Sequence, residues 1–280
     1  MTEPFGALAP SPLQERFRAL GRLLPANYFG RRAASLLLGP AGGRTPRAFD
    51  VDIFGTQKAR LHPADNICEK RVFLTPQLWD GDERALLRAA ISKFGGEVFT
   101  FVDVGANVGL YTLFARAEAA RSGAKLKAVC IEADGEMAAR LKFNIEASGA
   151  SKDVTIFSCA ASDAEGEVRF SIDRKSRGLS RVDPAGETRV AARPLAAIMS
   201  DAGLQKIDAM KIDIEGHEYE ALSAFFRDAP RALHPSLIIM ETSHASVKKS
   251  PEALLRENGY SLQLATRRNA VLTKGDQTPG

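Results

Sequence analysis

Histidine and cysteine are both scarce in this chain of 280 residues, and their spacing removes whole classes of function. No Cys-x-x-Cys or His-Glu-x-x-His spacing occurs, so a structural zinc site has no basis in the sequence. The three cysteines, Cys68, Cys130 and Cys159, are dispersed, and the last two lie in or beside apolar strand patterns. They read as reduced core thiols of a cytoplasmic protein, not as a disulfide framework. No apolar run approaches the roughly 20 residues of a membrane span, and the amino terminus lacks the charged-then-apolar order of a signal peptide. The phosphate loop G-x-x-x-x-G-K-[ST] is absent, as are fixed-period repeats and low-complexity stretches. At 45% hydrophobic residues, the chain can bury one full core with a smaller appended unit.

What is present centres on residues 99–109, Phe-Thr-Phe-Val-Asp-Val-Gly-Ala-Asn-Val-Gly, which run into the apolar-periodic Leu110–Ala115. The pattern is a buried strand, a tight glycine turn and the start of a helix. Gly105 suits a positive φ or a close backbone approach, and Gly109 lets the helix pack against the strand. A nucleotide-like ligand belongs in the crevice at the strand's carboxyl end. The dinucleotide fingerprint G-x-G-x-x-G is broken, because Asn107 replaces its middle glycine and Asp103 puts an acid on the strand. A pyrophosphate is thereby disfavoured, whereas a ligand carrying ammonium and sulfonium charge, such as S-adenosylmethionine, suits the acid.

A second strand, Lys125–Ile131, ends at Glu132, where a carboxylate can accept hydrogen bonds from both ribose hydroxyls of an adenosine cofactor. Residues 136–148 have helical spacing and stop before Gly149, and Val154–Phe157 is a third strand. Ala160–Asp163 follows at the rim where an adenine would rest. Asp163 suits either the adenine amino group or a turn before Ala164-Glu165-Gly166.

DVGANVG (103–109), Glu132, AASDAEGEV (160–168) and KIDIEGHE (211–218) together resemble the FkbM family of S-adenosylmethionine-dependent methyltransferases over about residues 70–245. The resemblance implies a class I methyltransferase domain that methylates hydroxyl oxygens of polyketide, sugar or glycan substrates. It places Asp103, Gly105, Asn107 and Gly109 around the methionine part of the cofactor, Glu132 on the ribose, and Ser162 and Asp163 near the adenine. Asp213, Glu215, Gly216 and Glu218 match the family's late signature, whose chemical role the resemblance leaves open.

On their own chemistry, residues 207–215 read as a strand with Lys211, Asp213 and Glu215 on one face. The two carboxylates repel, so Lys211, a divalent cation, a shared proton or the cofactor's positive end must compensate. A raised pKa would make one of them a usable base. The alternative is that they cap the helix expected over Tyr219–Phe226. His217, inside this cluster, is the first candidate for proton acceptor, and His244, just past the strand 236–241, is its rival.

Charge is uneven. Residues 1–48 hold seven arginines against Glu3 and Glu15, a net of +5 in a chain whose total is +4. Helices are expected there over Pro12–Leu24 and Asn27–Leu38, with Leu13, Phe17, Leu20 and Leu24 as the stripe of the first. Packing on the catalytic domain is the leading reading of this arm, and attraction to a membrane surface or anionic glycan is the other. Nucleic acid is not expected, because no aromatic stacking strand accompanies the arginines.

A hairpin over 48–61 turning near Gly55 and a helix over 80–93 would form an entry cap. Beyond Pro230 come the strand to Glu241, a helix over 251–258, and strands 260–266 and 269–273. The short link through Arg267 and Arg268 requires these last two to pair antiparallel. The expected fold is α/β: a Rossmann-like, mostly parallel sheet ending in an antiparallel hairpin. Residues 1–95 form the arm and cap, 96–273 the methyltransferase domain and 274–280 a flexible tail. An O-methyltransferase is the leading reading. An NAD-dependent oxidoreductase, which also lacks a Tyr-x-x-x-Lys pair here, and a non-catalytic S-adenosylmethionine-binding domain are the alternatives.

Overall fold

The computed structural model describes residues 3–171, 181–242 and 250–275. Five parallel strands form the centre of the sheet: β3 (Val98–Val104), β4 (Lys125–Ile131), β5 (Val154–Phe157), β10 (Ala209–Ile212) and β11 (Leu237–Glu241). The hairpin of β12 (Tyr260–Ala265) and β13 (Asn269–Lys274) completes it, and β13 runs antiparallel to both β11 and β12. The spatial order is β12-β13-β11-β10-β3-β4-β5. Chain direction across the sheet therefore reverses between β3 and β10, and a ligand crevice opens at their carboxyl ends. This is the class I methyltransferase arrangement expected from the sequence, hairpin included.

Strands β3, β10 and β11 are buried almost throughout because both faces of the sheet's centre are covered. On β3, Phe99 and Phe101 enter one core with helices α5 (Leu110–Ser122) and α6 (Gly135–Ala147). Val102 and Val104 enter the other, with α7 (Leu195–Asp201), α8 (Glu218–Asp228) and α9 (Pro251–Glu257). Alternation then puts Asp103 on the first face, beside its register partner Lys211 on β10.

The amino-terminal elements share that first core. They are α1 (Pro12–Arg22), α2 (Tyr28–Leu38), the hairpin β1 (Phe49–Ile53) and β2 (Gln57–Leu61), α3 (Ile67–Leu74) and α4 (Gly81–Ile91). The hairpin turns at Phe54 and Gly55, both at positive φ. It is stitched to α6 by the Arg60 amide donating to Asn144 Oδ1 at 2.7 Å. Helix α4 is tied to the terminal hairpin by Asn269 and Thr266, which donate to Glu83 at 2.9 and 3.0 Å.

Four local expectations change. The strand over 207–215 ends at Ile212, because the chain turns away where Glu215 takes a φ of 54°. On α1 only part of the expected stripe turns inward: Phe17 packs on the first core and Leu24 is half-buried, but Leu13 and Leu20 are exposed, while Arg18 and Gly21 are buried. Arg18 Nε donates to the Phe73 carbonyl at 3.0 Å with its guanidinium over the Phe73 ring, and Gly21 leaves no room for a Cβ against Leu74. Of the expected tail, Lys274 closes β13 and 276–280 lie outside the described residues. Finally, α3, α7 and a second sheet have no counterpart in the sequence reading. That sheet joins β6 (Ala160–Ser162), β9 (Thr188–Pro194), β7 (Gly166–Ser171) and β8 (Arg181–Val182) in this order.

Arg18→Ala tests the seat of α1. It removes a charged donor from a buried carbonyl together with the ring contact, so a loss of about 2–3 kcal/mol is expected, read as a lower denaturant midpoint. An unchanged midpoint would show that the apolar contacts alone hold α1.

Candidate active site

The cleft at the reversal of the sheet is built from two loops pressed together. Gly105, at φ +73°, follows β3, and a Cβ there would stand 1.9 Å from the Asp213 carbonyl oxygen after β10. Only glycine satisfies both demands. Gly109 serves a different neighbour, since a Cβ there would meet Leu141 of α6 at 2.5 Å.

One end of the cleft is lined by Gly105, Asn107, Glu132, Ala133 and Met137, with Ala160 and Ala161 at its rim. Glu132 closes the glycine turn: its two oxygens accept from the Asn107 amide at 2.7 Å and the Asp134 amide at 2.8 Å. Burial, acting against those hydrogen bonds, pushes its carboxyl up to about 7. Asn107, at φ 52°, accepts on its side-chain oxygen from Asn66 at 2.8 Å, and Asn66 also caps α3. Asp103 is buried deeper, bonded by Thr112 Oγ1 at 2.7 Å, and burial pushes it up to about 6.

The other end is ionic. Lys211, buried, pairs with Asp213 at 2.9 Å and lies over the Tyr111 ring. Burial opposes its charge, but Asp213, Asp80 and Asp103 outweigh that and raise its pKa. Burial likewise opposes ionisation of Asp213, yet Lys211 and a hydrogen bond with Glu241 hold it below the usual carboxylate range. A bond between two carboxyl groups needs one proton between them. Glu215 has the opposite balance: burial, then Asp213, then Glu218 push it up to about 7. Asp213, Glu215 and Glu241 bring carboxylate oxygens within 4.8 Å of one another, a spacing that also fits a divalent cation.

Glu218 fastens the loop of Asp213 and Glu215, accepting from the Ile214 amide at 2.8 Å and the Gly216 amide at 3.0 Å. His217 sits at the start of α8, its Nε2 3.1 Å from Ser162 Oγ. Asp163 is exposed in the turn between β6 and β7 and accepts from Ser162 at 3.2 Å. His217, Ser162, Asp163 and Gly109 are not among the residues lining the cleft. His244 lies outside the described residues.

Several lining residues are not among the site candidates read from the sequence, although Asp80 opens the helix expected over 80–93 as part of an entry cap. Ile67, Cys68 and Arg71 come from α3, Trp79 and Asp80 from the turn before α4, and Phe170 and Val182 from the second sheet. Burial pushes Cys68 up to about 12, so it lines the wall as a neutral thiol. Glu241 and Arg268 could have been found, because an acid ending a core strand and the tip of an antiparallel hairpin beside it both fall at the carboxyl edge of the sheet.

Residues 103–262 match the family model described as Methyltransferase FkbM domain. Among solved structures, methyltransferase FkbM from Methylobacillus flagellatus is 16% identical, with a TM-score of 0.44, covering 75% of this chain and 55% of that one. The METTL16 MTase domain is 13% identical, with a TM-score of 0.47, covering 93% of this chain and 80% of its own. An O-methyltransferase from Bacillus cereus in complex with SAH is 12% identical, with a TM-score of 0.41 and coverage of 69% and 81%. No curated protein matches the chain. The matched span takes in more than half of the residues, including both loops that press together at Gly105, and the chain belongs to the FkbM methyltransferase family.

Proposed function

We propose that this protein is an S-adenosylmethionine-dependent O-methyltransferase acting on a hydroxyl of a sugar or glycan, a lipid or a polyketide-like small molecule. The observation that carries this reading is the charge of the cleft: six carboxyl side chains line it against Arg71, Lys211 and Arg268. Such a wall favours a ligand bearing sulfonium and ammonium charge over a pyrophosphate. Glu132 has the placement to take ribose hydroxyls, Ala160 and Ala161 offer an apolar rim for a base, and Asp103 and Asp213 stand where a cationic end would be balanced.

The cofactor supplies an electrophilic methyl group. The chain's own residues place the acceptor and take its proton. Glu215 is the best base, because a carboxyl pushed up to about 7 is about half ionised at neutral pH and basic enough to assist an alcohol. Assistance of this kind is worth about two to four powers of ten. Lys211 keeps Asp213 ionised at its side, and Arg268 and Asn269 offer donors to a polyhydroxylated acceptor. Because Lys211 already balances Asp213, the reaction is read as metal-independent.

Three outcomes follow from this reading. Glu132→Ala should weaken S-adenosylmethionine binding by about 1–3 kcal/mol in calorimetric titration, and unchanged affinity would remove the residue from the site. Glu215→Gln should cut kcat about a hundredfold or more while cofactor affinity stays within a few-fold. Since Glu215 acts only when deprotonated, wild-type kcat should rise as pH passes through about 7, and that limb should vanish in the variant. Mass spectrometry across a panel of hydroxyl acceptors should find the gain of one methyl group, undiminished after exhaustive chelation. Magnesium- or manganese-dependent transfer would reassign Asp213, Glu215 and Glu241 to a metal.

A further inference from the structure

Seven large hydrophobic side chains are exposed among the described residues, and six of them fall between Leu13 and Leu36 on α1, α2 and the turn between them. Leu13, Leu20 and Leu23 lie on the outer side of α1, opposite the Arg18–Gly21 seat. Tyr28, Phe29 and Leu36 lie on α2. Leu23 is 81% exposed and Phe29 76%, so the turn joining the two helices ends in an apolar tip. Exposed Arg16, Arg22, Arg31 and Arg32 stand among these side chains. Only Glu15 among the residues of the two helices is acidic, and it is already paired with Arg18 and Arg22.

An apolar face of this size, left uncovered although the other side of α1 is well packed, marks a contact surface. The arginines decide what covers it. Pairing with a second copy of this chain would bring two arginine sets face to face, whereas an anionic bilayer neutralises them while its acyl boundary takes the leucines and aromatic rings. Arginine stems can lie along the apolar surface with their guanidinium groups at headgroup depth.

We infer that the α1–α2 hairpin docks the protein on anionic lipid bilayers, through Leu23, Tyr28 and Phe29 at its tip and the surrounding arginines. Helix α1 seats on α3, and α3 lines the cleft with Ile67, Cys68 and Arg71. Docking therefore holds the cleft about one helix layer from the hairpin.

The test is sedimentation of the full chain with phosphatidylcholine vesicles, with and without phosphatidylglycerol. Binding should require phosphatidylglycerol and weaken as salt is raised. The double variant Leu23→Glu with Phe29→Glu should lower vesicle partitioning by about tenfold or more at an unchanged melting temperature, since both side chains are exposed. Arg16→Glu with Arg31→Glu should do the same through charge alone. No binding to phosphatidylglycerol vesicles at low salt would overturn the proposal, as would binding indifferent to both double variants. A stable dimer in solution that the Leu23→Glu, Phe29→Glu variant dissociates would also overturn it, and would give the face to a second copy.

Discussion

The buried ammonium of Lys211 is the constraint around which the site is organised. An unpaired charge at that depth would cost several kcal/mol, so the fold must deliver carboxylates to it. It does so from three directions. Asp213 comes from the same chain segment, Asp103 from the neighbouring strand in register, and Asp80 from the turn before α4. The Tyr111 ring covers the ammonium and donates its hydroxyl to Asp80 at 3.1 Å. Parallel pairing of β3 with β10 and the docking of the amino-terminal unit are thus read out at one atom.

Backbone strain gathers in the same place. Four non-glycine residues among those described have positive φ, and three of them, Asp80, Asn107 and Glu215, line the cleft. Conformations of this kind cost about 1–3 kcal/mol each and persist only where neighbours over-determine them. Here the neighbours are identifiable. Glu132 and Asn66 grip Asn107, Tyr111 grips Asp80, and Glu218 grips the loop on both sides of Glu215. The turn at Glu215 is what lets its carboxyl share the cleft with Asp213 after the strand has ended. Burial in the cleft, with Asp213 and Glu218 beside it, pushes Glu215 up to about 7.

The amino-terminal helices show a different division of labour. An amphipathic pattern on α1 suggests that leucines face inward, but its seat on α3 is made by a guanidinium, a glycine and a ring. Phe17 turns inward to the first core, and Leu13 and Leu20 are left facing outward, with arginines around them.

Local periodicity and turn chemistry determined the central strands, the helices α5, α6, α8 and α9, the reversal of the last hairpin and the turns that carry Gly105 and Glu132. These follow from residues close in sequence: two-residue alternation, glycine at positive φ, and a link too short for a parallel crossover. The tertiary structure alone decided which acids become neighbours and which titrate. Of the compensating charges the sequence offered, Lys211 is the one that stands against Asp213, Glu241 hydrogen-bonds with Asp213, and Asp80 arrives from over a hundred residues away. It also decided that α3 and the second sheet wall the cleft. Burial and charge pairing are sums over groups distant along the chain, so no local pattern carries them.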